Sequence, residues 1–121
     1  MPRTSIGQAS IGIYSIGAET KINSIPMYEF EVIQFRDPMH RFPDLTGTDP
    51  VVKEYLKEDP KTAAIIQTVL LLAADHVDHG GSKWLTIAFR DYHEKWIARG
   101  LANIVADALC EQEYKVSVIY G

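Results

Sequence analysis

Apolar and polar positions along the chain fall into segments with distinct periods. Ile11-Gly12-Ile13-Tyr14-Ser15-Ile16 is short, rich in β-branched residues and closed by Gly17. It predicts a strand, and its nearly unbroken apolarity predicts a central one. A polar connection from Ala18 to Ser24 ends at Pro26. Tyr28 to Phe35 then alternates, with Glu29 and Glu31 on one side, as expected of a strand at a sheet margin with one wet face. Arg36 to Gly47 is punctuated by Pro38 and Pro43 and has no period, which predicts a loop long enough to carry function. Thr48 or Asp49 can cap a helix with Pro50 at its first position, running to about Glu58 with Val51, Val52, Tyr55 and Leu56 on one side. Asp59-Pro60 repeats that signal and opens a longer helix, whose broad apolarity predicts deep burial and which Gly80-Gly81 closes. Trp84 to Phe89 predicts a further strand. Ile97, Leu101, Ile104, Val105 and Ala108 recur at helical spacing, and Tyr114 to Tyr120 predicts a last strand.

The order β-β-α-α-β-α-β predicts an α/β fold: a single domain over residues 11–121, with a mostly parallel four-stranded sheet and helices on both faces. Residues 1–10 are expected to form a flexible arm. In such sheets ligands collect beyond the carboxyl ends of the strands, which points to Gly17–Ser24, Arg36–Gly47 and Phe89–Lys95.

Composition narrows the function classes. The 121 residues suit one domain, and a chain of that size buries about two-thirds of its unfolded surface, so a real core needs no staples. Cys110 is the single cysteine, which excludes an internal disulfide and suits a reducing cytoplasm. The N-terminus lacks a signal-peptide core, and the longest apolar run, Val69 to Ala74, falls far short of the ~20 residues that span a bilayer. A cytoplasmic protein without membrane contact is expected. The net charge of −4 gives no whole-chain footprint for nucleic acid.

Two stretches, in this order, carry a family resemblance. The first is Phe35-Arg36-Asp37-Pro38-Met39-His40 followed by Leu45-Thr46-Gly47-Thr48-Asp49-Pro50; the second is Gly80-Gly81-Ser82-Lys83 followed by Trp84-Leu85-Thr86-Ile87-Ala88. Together with Ile13 to Gly17, they resemble the C-terminal domain of the RNase adapter RapZ, over roughly residues 11 to 120. The resemblance implies a non-catalytic module that binds an amino-sugar phosphate and small RNAs and works within an oligomer. The retained positions are Arg36, Asp37, Pro38, Thr46 and Gly47, with Ser15 a weaker match. One departure is large. Where the family has a glycine-rich loop, this chain has Phe89-Arg90-Asp91-Tyr92-His93-Glu94-Lys95-Trp96, with no glycine to let a backbone approach a phosphate.

The candidate ligand-binding residues are therefore Arg36, Asp37, Thr46, Gly47, Arg90 and His93, the last two binding phosphate through side chains. The bland alternative is that Asp91 caps the next helix, with Glu94 completing a capping box. Phe89, Tyr92 and Trp96, if exposed, would form an aromatic patch for a partner. His40 is a further loop candidate. Asp75-His76-x-Asp78-His79 has metal-like spacing, but its place at a helix end accounts for it without a metal. Ser15 lacks a His/Asp pattern, and Cys110 beside Leu109 reads as a buried, inert thiol. No catalytic residue, cofactor or metal is expected. The leading expectation is a binding module for a protein or RNA partner. The alternative is a sensor or enzyme for a phosphorylated sugar or nucleotide, and self-association is compatible with either.

Overall fold

A computed structural model describes residues 10–17, 28–32, 35, 41–79, 84–91 and 96–120. The strands are β1 (Ser10–Gly17), β2 (Tyr28–Glu31), β3 (Trp84–Asp91) and β4 (Lys115–Tyr120); the helices are α1 (Pro50–Lys57), α2 (Pro60–His79) and α3 (Ile97–Glu111). The four strands form one all-parallel sheet in the order β2-β3-β1-β4. The apolar β1 is central and the glutamate-bearing β2 is an edge. β2 ends at Glu31, earlier than its alternation suggests, although Val32 still donates its N–H to the Arg90 carbonyl at 3.0 Å. Residues 1–9 of the expected arm lie outside the described residues, and Ser10 already belongs to β1.

Register assigns the faces. Ile11 stands beside Leu85 and Val116, and Ile13 beside Ile87 and Val118, all on the side where the helices pack. Val52 and Leu56 of α1, Val69 and Ala73 of α2, and Leu101, Val105 and Leu109 of α3 join them in one apolar cluster. The expected helical cover is met on this face. The opposite face carries Glu29, Glu31, Tyr14, Trp84 and Arg90, with Ile16 and Ala88 buried among them.

The two Asp-Pro signals act as their chemistry dictates. Asp49 accepts from the Val51 N–H and Asp59 from the Lys61 N–H, both at 2.9 Å, and each satisfies an orphan donor at a helix start. Thr62, buried, donates its hydroxyl to the Leu56 carbonyl at 2.6 Å and ties the start of α2 to the end of α1. The longer helix departs from its expected deep burial. Only Thr62, Val69 and Ala73 of α2 are buried, and Leu71 is 70% exposed. α2 is a peripheral helix whose outer side is apolar as well as its inner one. No helix among the described residues is long and apolar enough to cross a membrane.

α3 begins without a side-chain cap at Trp96, and Asp91 is the last residue of β3 rather than a helix cap. Its other end is a Schellman motif: the Tyr114 N–H bonds to the Leu109 carbonyl and the Glu113 N–H to the Cys110 carbonyl. That geometry puts Glu113 at φ 69°, a conformation in which a Cβ is crowded. Glu113→Gly is expected to raise stability by about 1 kcal/mol, read as a higher urea midpoint at unchanged slope.

Candidate functional site

The carboxyl edge of the sheet is built from the ends of β1 and β3, the start of α3 and the loop that leads into α1. In that loop the Leu45 N–H bonds to the Phe42 carbonyl at 3.1 Å and the Asp49 N–H to the Thr46 carbonyl at 3.0 Å. These turns carry Gly47 into contact with the backbone of α3. A Cβ on Gly47 would stand 2.2 Å from the Gly100 nitrogen and 2.6 Å from the Trp96 carbonyl oxygen. No described glycine has a positive φ, so Gly47 is required for space rather than for backbone freedom. Gly100 leaves matching room on the helix side, where the nearest obstacle to a Cβ is the end of the Leu56 side chain. Thr46 and Thr48 share a hydroxyl hydrogen bond at 2.9 Å above this contact.

Arg90 lies on the other face. Its Nε donates to Glu29 Oε2 at 2.9 Å, and its Nη1 to the Gly17 carbonyl at 2.9 Å. The guanidinium thus straps β2 to β3 and covers the last carbonyl of β1. Of the expected ligand set, Thr46 and Gly47 sit by α3 while Arg90 projects from the opposite side of the sheet; the structure does not bring them together. Arg36, Asp37 and His93, with Pro38 and His40, lie outside the described residues. Both strap partners are partly exposed, so solvent screens the pair. Glu29→Gln is expected to cost up to about 1 kcal/mol at low salt and less at high salt, read from urea melts at two ionic strengths.

The expected aromatic patch is corrected. Phe89 is fully buried and stacks on Phe30 with ring centroids 5.3 Å apart, because its register turns it toward the helices. It is a core residue and offers nothing to a partner. Trp96 is half-buried with its indole nitrogen enclosed, and Tyr92 lies outside the described residues. Ser15 and Asp91 are buried at the ends of β1 and β3, each engaged by neighbours. Cys110 is exposed near the end of α3, so the expected burial is not met. Among the described residues no three His, Cys, Asp or Glu side chains are grouped to hold a metal ion.

An open concavity lies next to this edge, between the Arg41-Phe42 segment and the outer side of α1. It encloses about 460 Å³, within the range of ligand clefts, and is lined by Arg41, Phe42, Val51, Glu54, Tyr55 and Glu58 with Pro50 at one end. Phe42 and Tyr55 meet edge to face at 5.6 Å and 78°. The Arg41 guanidinium stands 5.7 Å from both ring centroids, a cation–π seat that holds its charge at the wall of the groove. Glu54 and Glu58 of the same lining are exposed one helical turn apart, and Glu54 pairs with Lys57 at 3.3 Å.

Sequence reasoning missed this groove by treating Val51, Val52, Tyr55 and Leu56 as one core side. Val52 and Leu56 are buried, whereas Val51 is 50% exposed and Tyr55 half-buried. The available signal was an Arg-Phe pair in a proline-bounded loop just before a helix with two adjacent apolar residues per turn. Comparison with protein-family models gives no match, and comparison with curated proteins gives none either.

Proposed function

We propose that this chain is a non-catalytic binding module that receives a protein segment in the groove beside α1, in the manner of a diverged RapZ C-terminal-like domain. The observation that carries the reading is the groove itself: an aromatic and aliphatic lining with a seated guanidinium and two carboxylates, of which Glu54 is also paired with Lys57. Its complement is an extended peptide. An apolar side chain packs against Phe42, Val51 and Tyr55, a lysine or arginine reaches Glu58, and a carboxylate meets Arg41. Aromatic floors with satisfied polar rims are the usual anatomy of such contacts.

RNA fits this surface poorly. Glu58 and the Lys57-paired Glu54 share the groove with a single guanidinium, and the chain as a whole carries a charge of −4. A phosphorylated sugar would draw on Thr46, Gly47 and Arg90, of which the first two stand apart from the third and Arg90 is engaged by Glu29.

Selection of a random peptide library on the immobilised protein, with counter-selection on a Val51→Glu variant, tests the reading. Val51 is 50% exposed, so the variant is expected to keep the fold. Enrichment of peptides with an apolar residue flanked by a basic one, lost on the variant, is the expected outcome. A selection that enriches nothing, or that enriches sequences binding both proteins equally, rejects the groove as the working surface.

A further inference from the structure

We propose that the outer edge of β4 takes up an extended segment of another protein as an added strand, with an acidic side chain of that segment meeting Lys115. This edge is separate from the groove beside α1, and the proposal does not rest on that reading.

The sheet has two edges, and they are built differently. β2 is four residues long and carries Glu29 and Glu31 on its open face. Shortness and charge are two of the usual devices against strand addition. β4 lacks both. It runs for six residues, and Val116, Val118, Ile119 and Tyr120 are β-branched or aromatic. Its register with β1 advances residue for residue from Ser10 and Lys115 to Ser15 and Tyr120, so no bulge turns the edge aside. It contains no proline, and its one charge stands at its first position. Among the described residues its ladder runs to β1 alone.

The chemistry of such an edge specifies what fits it. A strand paired on one side presents a row of N–H and C=O groups on the other, and an extended backbone matches their spacing. The side chains add a preference. Val116 and Val118 pack on the core cluster yet stay half-exposed, so the core reaches this edge only partly covered. Ile119 is 40% exposed on the open face. Apolar side chains at alternate positions of an added strand extend both surfaces. Lys115 is exposed and has no ion pair among the described residues, so a carboxylate suits that end. The edge is also preformed. The Arg99 guanidinium stands 4.2 Å from the Tyr120 ring centroid, and the Asn103 amide donates to the Tyr120 hydroxyl at 2.9 Å. α3 thus holds the end of β4 in place before any partner arrives, which lowers the ordering cost of binding.

Amide NMR and hydrogen exchange of the labelled full chain test this, in a titration with a synthetic peptide that alternates valine with threonine and ends in glutamate. Antiparallel pairing is the more stable per residue and sets that glutamate beside Lys115. Saturable shifts centred on Lys115–Tyr120 are expected, with slowed exchange at alternate amides of β4. The same peptide N-methylated along its backbone is expected to bind at least about tenfold more weakly, because it has no N–H groups left to donate. Lys115→Glu, at an exposed position, is expected to weaken the glutamate peptide and to prefer one ending in lysine; its urea melt checks the fold. Absence of saturable shifts at millimolar peptide overturns the proposal, as do shifts confined to the groove at Arg41, Val51 and Tyr55. Binding that survives N-methylation, or a folded Lys115→Glu variant with unchanged preference, overturns it too. So does exchange at β4 that slows with rising protein concentration and no peptide, which would give the edge to a second copy.

Discussion

Gly47→Ala is expected to lose about 3 kcal/mol of stability or more, enough to threaten folding of a domain of ordinary marginal stability. The added carbon would lie 2.2 Å from the Gly100 nitrogen, 2.6 Å from the Trp96 carbonyl oxygen and 2.7 Å from the Gly100 Cα. All three are backbone atoms of the first turn of α3, and the Gly100 N–H is itself bonded to the Trp96 carbonyl at 2.9 Å. Relief requires α3 to move off the loop, and α3 packs on three of the four strands. Gly100→Ala supplies the contrast. Its Cβ would meet the end of the Leu56 side chain at 2.3 Å but stand 3.5 Å from the Gly47 Cα. A methyl terminus can turn aside, and alanine gains about 1 kcal/mol over glycine inside a helix. The expected net loss is about 1 kcal/mol. Urea denaturation of both variants reads the difference; equal losses would mean that the loop yields and the backbone contact is not an anchor.

Phe89→Ala is expected to cost about 3–5 kcal/mol, the range for emptying a large buried aromatic position. Phe89 has no exposure, lies on β3 between β1 and β2, and stacks on Phe30 at an interplanar angle of 17°. Its loss removes that ring contact and opens a cavity between the sheet and the helices. Thermal and urea melts both register it. A variant that melts like the parent would return Phe89 to the surface and revive an aromatic partner patch there.

The fold was legible where local chemistry and tertiary packing agree. Asp49-Pro50 and Asp59-Pro60 mark helix starts through orphan-donor satisfaction, a rule that needs no knowledge of the rest of the chain. Glu29 and Glu31 marked an edge strand because carboxylates tolerate only a wet face. The inference failed where one pattern serves two packings. The apolar residues of α2 read as deep burial, yet most of them circle a helix that gives the core only one stripe. Asp91 and Glu94 fit a capping box, but β3 runs on through Asp91 and α3 starts at Ile97 with no side-chain cap. Periodicity alone does not say where a strand stops. Phe89, read as the end of a strand, was also offered as part of an exposed aromatic patch, although strand alternation from Leu85 and Ile87 places it inward.

The candidate site was legible only in outline. The loop between Arg36 and Gly47 does lead to the groove, through Arg41 and Phe42. Gly47 was marked as a ligand position, whereas its proximity to Trp96 and Gly100 gives it a packing role that no local pattern announces. Arg90 was marked for its charge, and the partner that engages that charge, Glu29, is remote in sequence and adjacent only across the β2–β3 ladder. Residues distant along the chain decide which charges remain available, and one sequence does not display those pairings.

The central claim is that this chain works as a binding module through the groove beside α1 and not through a phosphate cradle at the strand ends. Backbone amide NMR of the labelled protein tests it directly, titrated in turn with a peptide selected on the wild-type surface and with glucosamine 6-phosphate. The account predicts saturable shifts at Arg41, Val51, Glu54 and Tyr55 with the peptide and none with millimolar sugar phosphate. Saturable shifts at Thr46, Gly47 and Arg90 with the sugar phosphate, and a silent groove with the peptide, would contradict it.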